Sequence, residues 1–130
     1  MKKRGLLLFA AAVLCILAGL VAYHCSFPLD ADLNGLEPAA LQWFNRGMSV
    51  PYEADQLRLY QPVTVGDRTY VPLELDGQLG HLRLSRGLTG RYHLDQSQHG
   101  TGSFRNGVVE SDGERMLLFE GRNGDGRIAR

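Results

Sequence analysis

Residues Gly5–Tyr23 read GLLLFAAAVLCILAGLVAY, 19 residues with no charge and no strongly polar side chain before Tyr23. At about 1.5 Å per helical residue the run extends roughly 28 Å, close to the thickness of a bilayer's hydrocarbon core. A single transmembrane helix bounded by Gly5 and Tyr23 is expected. Lys2, Lys3 and Arg4 stand directly before it, and the next Lys or Arg is Arg46. Positive flanks stay cytoplasmic, so the N-terminus is expected inside and the chain beyond the span outside the cell membrane.

A cleaved signal peptide shares the basic start. Its apolar core is shorter, about 7–15 residues, and a cut needs a small-x-small pair, whereas Ala22 has Leu20 two positions upstream. The uncleaved anchor is therefore the expectation, with secretion after cleavage as the alternative. Lipoprotein processing does not fit, because Tyr23-His24 precede Cys25 and Val13-Leu14 precede Cys15. A pilin-type start does not fit either, since no Glu follows Gly5 closely. Tyr23 and His24 are expected at the outer headgroup level, where amphipathic rings are favoured.

About 105 residues follow the anchor, enough for one small domain and too few for two. The expected partition is residues 1–24 as basic start and anchor, 25–35 as linker, and 36–130 as one β-rich domain. The chain's formal charge is zero, but 3 of its 14 basic residues precede the span, leaving 11 against 14 acids, a net −3 outside. Such a field repels phosphate weakly, so no nucleic-acid role is expected. Cys15 and Cys25 lie about 15 Å apart along a helix, too far to bridge, so the domain has no internal disulfide.

Ser26–Gly35, SFPLDADLNG, reads as a turn-rich connector. A short helix is expected next, with Glu37 and Pro38 in its first turn and Gly47 as its stop. Leu36, Ala40, Leu41 and Phe44, with Met48 beyond, form one apolar stripe. The outer domain's sheet is its expected partner, the membrane surface the alternative.

From Leu57 the period becomes alternating. Leu57 and Leu59 flank Arg58, Val63 and Val65 flank Thr64, and Val71, Leu73 and Leu75 share a face. Asp76-Gly77 is a tight-turn dipeptide. Leu82 and Leu84 continue a strand, and GLTG at 87–90 turns into Tyr92 and Leu94. A four-residue loop would set Leu84 opposite His93, so a longer loop or a bulge is expected to restore Leu84 opposite Leu94. Gln96–Gly107 is expected as a mobile loop, Val108-Val109 as a strand, Asp112-Gly113 as a turn and Met116–Phe119 as a central strand. The fold class is mainly β: an N-terminal transmembrane helix, then a small antiparallel meander, barrel-like or backed by one short helix.

Asp30-x-Asp32-x-Asn34-Gly35 matches the first half of a calcium loop, where alternating oxygens converge and glycine permits the turn. Leu41 stands where the closing bidentate carboxylate belongs, so an Asx-rich turn accounts for the same residues. Asp30, Asp32 and Asn34 are the candidate metal ligands and calcium the cofactor they suggest. Asn123-x-Asp125-Gly126 is a shorter fragment of the same kind. His81 and His93 could share a sheet face, but His99 is the only other histidine of the domain and no Cys joins them. Gly100-x-Gly102 lacks a phosphate-loop context, and Ser97, Ser103 and Ser111 lack a nucleophile elbow. Arg83, Arg86, Arg91 and Arg105 are candidates for a basic cluster facing acidic polymers or lipid headgroups.

Gly77-x-Leu79-Gly80, Gly87-Leu88-x-Gly90-x-Tyr92, Gly100-x-Gly102-x-Phe104-Arg105 and Phe119-x-Gly121-x-Asn123 carry a resemblance. Through them the run Tyr70–Asn123 resembles small, uncharacterised membrane-anchored extracytoplasmic proteins of Gram-positive-type bacteria. The resemblance implies an exported β domain and assigns no functional residue. The expected function is a non-catalytic binding or assembly module, with membrane lipid around the helix and a protein partner in the envelope. The alternatives are a calcium-stabilised module using Asp30, Asp32 and Asn34, and a small hydrolase of envelope polymers.

Overall fold

A computed structural model describes residues 2–102, 104–111 and 113–122. Helix α1 (Lys2–Ser26) is followed by α2 (Leu36–Phe44) and seven strands: β1 (Leu57–Leu59), β2 (Val63–Val65), β3 (Arg68–Leu75), β4 (Gln78–Arg86), β5 (Tyr92–Gly100), β6 (Phe104–Ser111) and β7 (Glu114–Gly121). The chain is mainly β, with an apolar N-terminal helix and antiparallel pairing throughout the described strands. Helix α1 is long and apolar enough to cross a membrane, a form shared by anchors and signal sequences near an N-terminus. Its apolar side chains point outward on every side, Leu6, Phe9, Leu14 and Leu20 among them.

Five strands form an open sheet, β1 and β2 both pairing with β3, followed by β4 and β5; β6 and β7 form a separate two-stranded sheet. Neither sheet closes, so the barrel-like form is not reached. The helix-backed form is. Val71, Leu73, Leu75, Leu82 and Leu84 are fully buried on one face, and Leu36, Ala40 and Phe44 of α2 pack against them with Leu29. Each buried leucine contributes about 2 kcal/mol by removing its surface from water. Ala40 has no side chain beyond a methyl group, which lets α2 approach the sheet closely.

Helix α2 starts after Gly35, whose φ of 81° only glycine adopts freely. It closes at Phe44, ahead of Gly47, because Asn45 turns its side chain to Tyr52. Asn45 Nδ2 donates to the Tyr52 carbonyl (3.0 Å) and the Tyr52 amide donates to Asn45 Oδ1 (2.7 Å). Met48 consequently lies outside the buried stripe and is exposed.

The β3–β4 hairpin turns at Asp76-Gly77, with φ of 46° and 74°, the positive pair of a two-residue primed turn. Leu84 pairs with Leu94 through the first of the two expected devices, the five-residue loop Gly87–Arg91; a register shift follows beyond that pair, between Leu84 and Arg83. The shift leaves Asp95 as the extra residue of a bulge.

Two expectations are corrected. Of the expected loop Gln96–Gly107, Gln96–Gly100 is instead the second half of β5, paired along β4 from Arg83 to Leu79, and Phe104–Gly107 already belongs to β6. Two polar residues of this half of β5 have partners: Trp43 Nε1 donates to Ser97 Oγ (3.0 Å), and the His99 ring meets Phe44 edge-on at 5.3 Å. Met116–Phe119 lies in β7 of the outlying hairpin and is not central, so Leu117 and Phe119 remain exposed. Of the second turn signal, Gly113 has φ of 78° while Asp112 lies outside the described residues.

Candidate functional site

The DADLNG segment is a turn closed on itself. Asp32 Oδ1 accepts from the Asn34 amide (3.1 Å), and its Oδ2 accepts from the Asn34 side chain. Asp30 Oδ1 pairs instead with Arg91 Nη1 at 2.7 Å. Asp32, Asn34 and Glu37 border an open groove of about 480 Å³ between the start of α2 and Leu59, Tyr60 and Pro62. No group of three His, Cys, Asp or Glu side chains converges as a metal site among the described residues. The Asn123-x-Asp125-Gly126 fragment lies outside them.

His81 and His93 share the sheet face opposite α2, but His81 stands opposite Gln98 and His93 opposite Ser85, so they are not neighbours; His99 is on the α2 face. The arginines separate in the same way. Arg83 joins a cluster in mid-sheet, Arg86 is exposed at the end of β4, and Arg91 is tied to the segment after α1. The Arg105 side chain is outside the described set. Of the serines, Ser97 holds Trp43, and the side chains of Ser103 and Ser111 are not described.

The face opposite α2 carries two polar groupings. The first is built on the bulge: Asp95 accepts from Arg68 Nη1 (2.6 Å) and Ser85 Oγ (2.8 Å), and Arg83 Nε lies 3.8 Å from the same carboxylate. Sequence reading missed Arg68 and Asp95 here, because the bulge that aims Asp95 lies beyond the Leu84–Leu94 pair, where the local pattern gave no signal. The second lies under the outlying hairpin. His81 Nδ1 is 2.7 Å from Glu120 Oε1, the side chains 15% and 7% exposed. The contact is close but lacks the alignment of a hydrogen bond. Tyr70 meets the His81 ring edge-on at 5.9 Å, and Gln98 and Leu118 line the same small enclosure.

The hairpin's inward side places Val109, Leu118 and Glu120 against β4; its outward side is different. Pairings Val108↔Leu117 and Asn106↔Phe119 put four side chains on one outer face, with Glu110↔Arg115 continuing it. Val108, Leu117 and Phe119 are 57%, 64% and 59% exposed. An apolar strip bordered by charges is the form of an association surface.

No family model matches this chain, and no curated protein or solved structure matches it either.

Proposed function

We propose that this chain is a single-pass membrane protein, N-terminus cytoplasmic, holding a small β-rich domain outside the membrane as a non-catalytic binding or assembly module. The outward strip Val108–Leu117–Phe119 carries the reading: it is apolar, exposed and set on a hairpin standing off the main sheet. The apolar surface of α1 and the basic start Lys2-Lys3-Arg4 support the anchor and its orientation. The partner is a protein of the same envelope presenting a complementary apolar surface.

The test is a photoreactive side chain at Val108 of the full chain in intact cells, with Asp55, exposed in the turn before β1, as reference. A discrete protein adduct at 108 and none at 55 is the expected result; equal labelling at both positions overturns the association surface. A reporter after Arg130 active only in the cytosol overturns the orientation.

A further inference from the structure

The loop Gly87–Arg91 is fastened to the outer end of α1. The Leu88 amide donates to the Tyr23 hydroxyl at 2.8 Å, and the Tyr23 and Phe27 rings lie 5.0 Å apart. A side chain at Gly87 would put its Cβ 3.0 Å from the Phe27 ring, close enough that the ring would have to shift to make room. Arg91 donates from Nε to the Phe27 carbonyl and from Nη2 to the Pro28 carbonyl, both at 2.7 Å. Leu29 completes the fastening through a two-way backbone bridge to Tyr92.

This arrangement fixes the loop's depth. Tyr23 closes the apolar run, at the position where a tyrosine ring sits among headgroups. Any bilayer that holds Tyr23 there also holds the backbone of Leu88 there. The Leu88 side chain is 95% exposed, and Arg86 at the base of the loop is exposed with no ion-pair partner among the described residues. A leucine beside a guanidinium, at the level of an interfacial tyrosine, is the chemistry of a membrane-surface contact: the apolar group enters the acyl boundary and the cation meets anionic headgroups.

We propose that the β4–β5 loop is a second membrane contact of this chain, in which Leu88 enters the interface beside Tyr23 and Arg86 binds the phosphate of an anionic lipid. The proposal rests on the anchored reading above. It gives the domain a defined membrane-facing end, opposite the Asp76-Gly77 turn at the other end of β4.

The experiment uses the full chain in vesicles of phosphatidylethanolamine and phosphatidylglycerol, with one environment-sensitive fluorophore per variant and nitroxide-bearing lipid as quencher. Leu88→Cys and Asp55→Cys are made with Cys15→Ala and Cys25→Ser; native Cys15, with Cys25→Ser alone, reports the span. Trp43 emission, unchanged, verifies the fold of each variant. Blue-shifted, lipid-quenched emission at positions 15 and 88, and none at 55, is expected. Quenching at 15 with water-like emission at 88 overturns the loop contact and leaves the anchor standing. Water-like emission at both overturns the anchor and the loop contact together. Adding Arg86→Gln to Leu88→Cys is expected to reduce quenching at 88 in anionic vesicles but not in wholly phosphatidylethanolamine–phosphatidylcholine ones; an equal response in both overturns the phosphate assignment.

Discussion

His81 and Glu120 meet at 2.7 Å across the gap between the main sheet and the outlying hairpin, both largely withdrawn from water. Arg122, which donates from Nη2 to Glu74 Oε1 at 2.8 Å, is the second polar tie between the hairpin and the sheet. The hairpin therefore depends on polar attachment more than the sheet does, whose strands share the leucine core. Glu120→Ala leaves the His81 imidazole enclosed without its partner, at a cost of about 1–3 kcal/mol. Hydrogen exchange should show β6 and β7 amides opening faster while β3 and β4 keep their protection. Glu120→Gln, which fills the same volume, should open the hairpin less than Glu120→Ala does.

Gly80 is expected to tolerate no side chain. A Cβ there would run into the Gln98 carbonyl oxygen and lie 2.7 Å from His99 Cα, both backbone-fixed positions in the adjacent strand. Gly80→Ala should lower stability by about 3 kcal/mol, the upper range for an overfilled interior. A melting temperature equal to that of the parent chain would show that β4 and β5 do not approach so closely.

Trp43 and Ser97 join α2 to β5 by a hydrogen bond of 3.0 Å. Trp43→Phe keeps an aromatic ring but removes the donor, and should cost about 1 kcal/mol beyond the loss of ring area. Combining it with Ser97→Ala should cost less than the sum of the single changes, because both remove the same bond. Strict additivity in urea melts would contradict the contact.

Leu117→Ser should change stability by no more than about 0.5 kcal/mol, as for other exposed positions. On the proposed function it should nevertheless lower photo-adduct yield at Val108 in cells. A variant that melts early, or labels as well as the parent, removes the strip from the binding role.

Calcium should leave the melting temperature unchanged. Binding at the DADLNG turn would require Asp30 to leave Arg91 and Asp32 to release Asn34. A calcium-dependent rise that disappears in Asp32→Ala would establish the cation site instead.

What could be read in the chain was whatever local pattern decides. The apolar run before Tyr23 defined α1, and the alternation around Val71 and Leu82 defined β3 and β4. The mismatch of Leu84 with His93 required a longer loop or a bulge, of which the five-residue loop is the one that restores the pairing. The second half of β5 was illegible because Gln96–Gly100 has no apolar alternation; a pairing strand and Trp43 hold it, and both are distant in sequence. Met116–Phe119 misled for the converse reason, since a continuous apolar run is equally the mark of an interior strand and of a surface made for contact. The arginines looked alike by spacing, yet Arg91 completes a backbone clamp, Arg83 neighbours a bulge carboxylate and Arg86 has no such engagement. Only three-dimensional placement separates them.

The segment between α1 and α2 leaves no slack. Leu29 bridged to Tyr92 and Arg91 gripping two successive carbonyls tie the domain to its stalk at several points. If the stalk is embedded in lipid, the hairpin strip is shown at one fixed height and bearing, so a neighbour diffusing in the same bilayer would meet it in a two-dimensional search with most orientations already excluded.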